Sequence, residues 1–123
     1  MKRSDALDGI VGPLEADILR VMWATGDAMT PRDVLTQLNA RRDAPLAYTT
    51  VMTVMARLAE KDILRRTPLG RGYVYEPVVH DAAEIAVRGV MRDFGDAAVA
   101  HFVSEARADP KLRRRLQGLL RED

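Results

Sequence analysis

The sequence predicts a mainly α-helical chain: three helices and a short β-hairpin, then three more helices. Three observations lead there. Apolar residues recur at helical spacing in six separate stretches. One central segment, Ile63 to Glu76, changes to a period near two around a glycine pair. Aromatic residues make up only 5% of the 123 residues, which points to aliphatic packing between helices rather than a core built on rings.

Gly12-Pro13 opens the first helix, with the proline suited to the first helical position. Leu14, Ile18, Val21 and Met22 form its inner stripe, Leu19 and Trp23 widen it, and Gly26-Asp27 closes it. Thr30-Pro31-Arg32-Asp33 then supplies a cap, a first-turn proline and a first-turn acid before Val34, Leu35 and Leu38. That helix ends near Arg41-Arg42, and Asp43-Ala44-Pro45 makes a turn. From Tyr48 to Lys61, Val51, Met52, Met55, Leu58 and Ala59 share an inner face, which leaves Thr49, Thr50, Thr53, Arg57 and Lys61 outside. Ile63–Thr67 and Tyr73–Glu76 read as two strands joined through Pro68-Leu69-Gly70-Arg71-Gly72. Tyr73 and Tyr75 fall on one strand face and are expected to pack against the helices.

Pro77 ends this unit, which places a domain boundary between residues 1–77 and 78–123. Asp81-Ala82-Ala83-Glu84 has the spacing of a capping box before Val87, Val90, Met91 and Phe94. Asp96 is expected to cap a helix with Val99, Phe102, Val103 and Ala106 on its apolar face, and Asp109-Pro110 starts a last helix with Leu112, Leu116, Leu119 and Leu120. Short amphipathic helices are marginal alone. Three of them do not bury these faces within one copy, so residues 81–121 are expected to form a homodimer.

The composition excludes several function classes. With no cysteine there are no disulfides, thiolate nucleophiles, iron–sulfur clusters or sulfur-ligated zinc. Two histidines, His80 and His101, lack the H-E-x-x-H spacing of a zinc hydrolase, and no nucleophile–base set is indicated. The expectation is therefore no catalytic residue, no metal and no cofactor. Neither a signal-type apolar segment nor a membrane-spanning one is evident, so a soluble cytoplasmic protein without membrane insertion is expected.

Formal charge totals only +1, but its distribution is uneven. Between Arg41 and Tyr75 seven bases (Arg41, Arg42, Arg57, Lys61, Arg65, Arg66, Arg71) face three acids (Asp43, Glu60, Asp62), leaving +4 in the middle and a −3 remainder expected as acidic flanks. Helix, helix, helix, hairpin with a basic bias is the pattern of a winged helix-turn-helix. Its third helix would enter the major groove, with Thr49, Thr50 and Thr53 permitting close approach and offering hydroxyls and methyls to base edges or phosphates. Arg41, Arg42, Lys61, Arg65, Arg66 and the wing-tip Arg71 suit phosphates, though some could instead pair with Asp43, Glu60 or Asp62.

Three runs carry a family resemblance: Gly12-Pro13-Leu14-Glu15-Ala16, Ala47-Tyr48-Thr49-Thr50-Val51-Met52-Thr53-Val54-Met55-Ala56-Arg57-Leu58, and Gly70-Arg71-Gly72-Tyr73-Val74-Tyr75. Over almost its whole length the chain resembles the penicillinase repressor family, bacterial transcriptional repressors related to the beta-lactamase and methicillin-resistance repressors. The Tyr-Thr-Thr-Val-Met-Thr-Val run is the specific part. The resemblance implies an N-terminal winged helix, an all-helical dimerisation domain, and repression through a dyad-symmetric operator on double-stranded DNA. It also places Tyr48, Thr49, Thr50, Thr53 and Arg57 on or beside the recognition helix. Some relatives are inactivated when a membrane sensor triggers a protease to cut within the dimerisation domain; the matching position is His101-Phe102, with histidine where the cleaved repressors have asparagine. A copper-responsive branch carries C-terminal cysteines, and this chain has none.

Together these observations predict a non-enzymatic homodimeric repressor, with beta-lactam response genes one setting for it. The rival from another class is a winged-helix module that binds a protein and has no sequence-specific affinity for DNA.

Overall fold

The computed structural model describes residues 3–121, and side-chain surroundings from residue 6 onward. The elements run α1 (Arg3–Val11), α2 (Pro13–Thr25), α3 (Pro31–Asn39), α4 (Tyr48–Glu60), β1 (Leu64–Leu69), β2 (Gly72–Pro77), α5 (Ala82–Phe94), α6 (Asp96–Ala108) and α7 (Pro110–Leu120). The chain divides into two compact units, one ending at Ile85 and the other beginning at Ala86, so α5 contributes its first turn to one and its remainder to the other.

In the first unit, Ile18, Leu19, Met22, Val34, Val51, Met55 and Leu58 are fully buried and hold α2, α3 and α4 around one aliphatic core. The helix ends follow the local chemistry of the sequence. Gly26 closes α2 in the left-handed conformation, its N–H donating to Met22 O. Thr30 and Asp33 cap α3 reciprocally: Thr30 Oγ1 accepts from the Asp33 N–H at 3.1 Å and Asp33 Oδ2 from the Thr30 N–H at 3.0 Å. At the end of α4, Asp62 takes φ 61°, and the Ile63 N–H reaches back to Leu58 O at 3.0 Å. This left-handed residue turns the chain out of the helix and into β1.

The strands pair antiparallel from Leu64↔Pro77 to Leu69↔Gly72, a longer hairpin with a tighter loop than the sequence suggests. Gly70 and Arg71 alone make the turn, with φ +60° at Gly70 and no positive φ at Arg71, the sign pattern of a type II′ turn. Met29 joins this ribbon through a reciprocal pair of 2.8 Å backbone hydrogen bonds with Tyr75. The wing is thereby tied to the chain entering α3.

Three features depart from the sequence expectation. α1 precedes Gly12-Pro13, where no helix is expected; among its described side chains Leu7 is buried, Val11 packs half-buried against the core, and the Arg20–Asp8 ion pair at 2.6 Å ties it to α2. Met52 is 39% exposed rather than on the inner face, because the stripe Val51–Met55–Leu58 already fills it and Met52 lies about 100° away around the helix. Tyr75 is buried as expected, whereas Tyr73 is exposed farther out along the same strand.

In the second unit Gly95, at φ 54°, takes the N-cap position of α6 and Asp96 is already its first helical residue, so Asp96 does not cap it as expected. α6 packs on α7, and Asp109 caps α7 by accepting from the Lys111 and Leu112 N–H groups. Ala106 is its one buried hydrophobic residue among those described. No helix among the described residues is long and apolar enough to cross a membrane.

Candidate nucleic-acid interface

The outer face of α4 is built by subtraction. Val51, Met55 and Leu58 turn inward, so Thr49, Thr50, Thr53 and Arg57 stand on the remaining surface, with Lys61 exposed at the helix end. Threonine is an indifferent helix former, and a cluster of three outside the core does nothing for packing. It leaves a low-relief surface with hydroxyl donors and acceptors along the leading half of the helix.

Two devices hold this helix in place. Asn39, the last residue of α3, clamps the connecting loop: its Oδ1 accepts from the Leu46 N–H at 2.8 Å and its Nδ2 donates to Leu46 O at 3.2 Å. Arg41 and Arg42 are thereby displayed on a closed loop, both exposed, with Arg42 Nε donating to Ala44 O at 3.3 Å. At the other end, Tyr48 is half-buried and its ring carries the Arg32 guanidinium at 4.5 Å from the centroid. Neither Asn39 nor Arg32 is conspicuous in the sequence. Asn39 sits where any polar residue could end a helix, and Arg32 follows a cap signal that accounts for its neighbours without needing it.

The wing presents Arg71 at its exposed two-residue tip. Arg65 stands opposite Glu76 and pairs with it at 3.3 Å, both side chains exposed, so part of its charge is already answered. Arg66 lies over the Tyr73 ring at 4.3 Å from the centroid, and Tyr73 in turn meets Tyr75 edge-on at 6.4 Å. Between the first turn of α4 and the wing lies a cleft of about 300 Å³ whose lining includes Arg32, Tyr48, Met52, Leu69 and Tyr73.

The second unit carries the apolar residues singled out for dimerisation. Val87, Val90, Met91, Phe94, Val99, Phe102, Val103, Leu119 and Leu120 are all exposed within one chain, and Leu112 and Leu116 are half-buried. His101 is exposed in the middle of α6, with Phe102 beside it. A protease acting there would need α6 to unwind locally, since a helical backbone does not fit an extended cleft. His80 Nδ1 lies 2.8 Å from Glu84 Oε1 at the start of α5, where that oxygen also accepts from the His80 N–H and the Glu84 N–H donates to Asp81 Oδ1 at 2.9 Å. No group of three or more potential metal ligands exists among the described residues.

The net −3 outside Arg41–Tyr75 is unevenly spread. The C-terminal flank is not uniformly acidic: residues 107–121 hold Arg107, Lys111, Arg113, Arg114, Arg115 and Arg121 against Asp109 alone.

Comparison with known proteins agrees with this architecture. The family model described as penicillinase repressor matches residues 11–122. Transcriptional regulator BlaI of Mycobacterium tuberculosis is 40% identical over 108 residues, covering 80% of this chain and 75% of that protein, in both strain CDC 1551 and strain H37Rv. In fold, the chain is similar to the crystal structure of transcriptional regulator Tm0710 from Thermotoga maritima, with a TM-score of 0.50, 20% identity, and coverage of 92% of this chain and 83% of that one. The family consists of transcriptional regulators rather than enzymes. The chain belongs to the penicillinase repressor family and is a transcriptional repressor.

Proposed function

We propose that this repressor acts as a homodimer on a dyad-symmetric promoter operator in the cytoplasm, obstructing transcription by occupancy. The observation that carries the proposal is the threonine-rich outer face of α4 flanked by the cations of the Arg41–Arg42 loop and the wing. Helix α4 would lie in the major groove, with Thr49, Thr50 and Thr53 toward base edges, while Arg41, Arg42, Lys61 and Arg71 contact phosphates. Residues 1–77 act as the reader and 78–123 as the dimerising part. Nine exposed large apolar residues among those described in the C-terminal helices support that assignment, because such a surface is unfavourable in water and a second copy can cover it without new structure. Two linked half-site contacts then reinforce each other, commonly one DNA turn or about 34–36 Å apart. Beta-lactam response genes are one physiological setting that the family name suggests.

Selection of bound fragments from the host genome, followed by footprinting, tests the proposal directly. A protected palindrome bound more tightly than its scrambled duplex is expected. Equal affinity for both would instead favour the protein-interaction module. Sedimentation equilibrium showing only monomer at high micromolar concentration would remove the dimer.

A further inference from the structure

Resting on the DNA-binding reading above, we infer that the cleft between α4 and the wing seats a stretch of DNA sugar–phosphate backbone, held by the Arg32 guanidinium, which the Tyr48 ring orders, and flanked on the wing by Arg66, which lies over Tyr73 outside the cleft lining. The two stacks are alike although they come from different elements. Arg32 lies 4.5 Å from its ring centroid and Arg66 4.3 Å from its own. A guanidinium held over a ring face by cation–π attraction keeps its N–H groups free of the ring's own hydrogen bonding, and these are the donors that a phosphate accepts. Neither arginine forms an ion pair among the described residues. Each therefore has its charge available and its long side chain already ordered, so less rotamer freedom remains to be lost on contact.

The cleft has the mixed character that backbone requires. Met52 and Leu69, 39% and 59% exposed, are apolar surfaces without a packing role in the core. They offer a floor to deoxyribose, which carries no charge, while Arg32 lines the same cleft and takes the phosphate beside it. Tyr48 and Tyr73 are then positioning residues, acting through the faces of their rings rather than through base contacts.

The test is a salt titration of the full-length protein on a mixed-sequence DNA duplex, since phosphate contacts do not depend on sequence. Arg32→Ala and Arg66→Ala should each lower affinity and flatten the slope of log K against log salt by about 0.9 per bound chain. Tyr48→Leu should flatten the slope as Arg32→Ala does, and the double variant should go no further than either single one. Tyr48→Phe keeps the ring and should keep the wild-type slope, a result that a role through the Tyr48 hydroxyl would not produce; a merely structural role would lower the stability of Tyr48→Leu and leave its salt slope unchanged. Slopes unchanged in both arginine variants overturn the inference, and if Tyr48→Leu does not fold, the arginine variants and Tyr48→Phe still decide it. Wild-type protein with no affinity for the duplex at low salt would instead remove the DNA-binding reading itself.

Discussion

The indole Nε1 of Trp23 donates to the carbonyl oxygen of Val79 at 2.9 Å, joining α2 to the segment that leads into α5 across 56 residues of sequence. Val79 is buried, so its carbonyl has little access to water as a substitute donor. Trp23→Phe keeps a ring but removes the donor. A loss of about 1–3 kcal/mol is expected, seen as a lower urea midpoint with an unchanged slope.

Two methionines on α4 should separate sharply. Met55 is fully buried and Met52 is not. Met55→Ala should cost roughly 2–5 kcal/mol, whereas Met52→Ala should stay within about 1 kcal/mol and show its effect in DNA affinity. Equal losses in thermal unfolding would mean that Met52 belongs to the core after all.

The reciprocal cap on α3 predicts a modest, repairable effect. Thr30→Ala should cost about 0.5–2 kcal/mol, and Thr30→Ser should recover most of it because the hydroxyl, rather than the methyl, holds the Asp33 N–H. Calorimetry of the three proteins in one buffer settles the order.

Asp62 carries a conformational penalty at φ 61° that glycine does not. Asp62→Gly is therefore expected to raise stability by up to about 1 kcal/mol. A lower melting temperature would show that the Asp62 side chain contributes more than the backbone strain removes.

Phe94 and Val90 are 64% and 46% exposed on α5. If they are covered by a second copy, Phe94→Lys should shift sedimentation toward monomer and abolish the dependence of melting temperature on protein concentration. Val90→Lys should do the same. Operator affinity should drop far more than affinity for a single half-site.

Much of the fold is legible in the sequence because its signals are local. Pro13, Thr30, Pro31, Asp33 and Asp109 mark helix starts whatever the rest of the chain does, and the structure uses each as expected. The period change after Asp62 marks the wing for the same reason. What escapes such a reading is relational. Helix α1 depends on a partner twelve residues away, Arg20 for Asp8, and on Leu7 and Val11 meeting a core that later helices assemble. The inward or outward fate of Met52 depends on how many neighbours the core accepts before it is full. Of the interface, the threonines and wing arginines can be read from composition and spacing, whereas the Arg32–Tyr48 stack joins the starts of two helices and has no signature in either alone.

At the wing tip, a Cβ built on Gly70 would meet nothing within 4 Å, yet the residue sits at φ +60°. Room is not what the position lacks; the constraint there is one of handedness. A chemically made protein carrying D-alanine at this site should keep the two-residue turn and the aim of Arg71, while its mirror-image L-alanine, identical in size, should splay the strands. The handedness allowed at one α-carbon thus governs where the outermost cation of the wing stands.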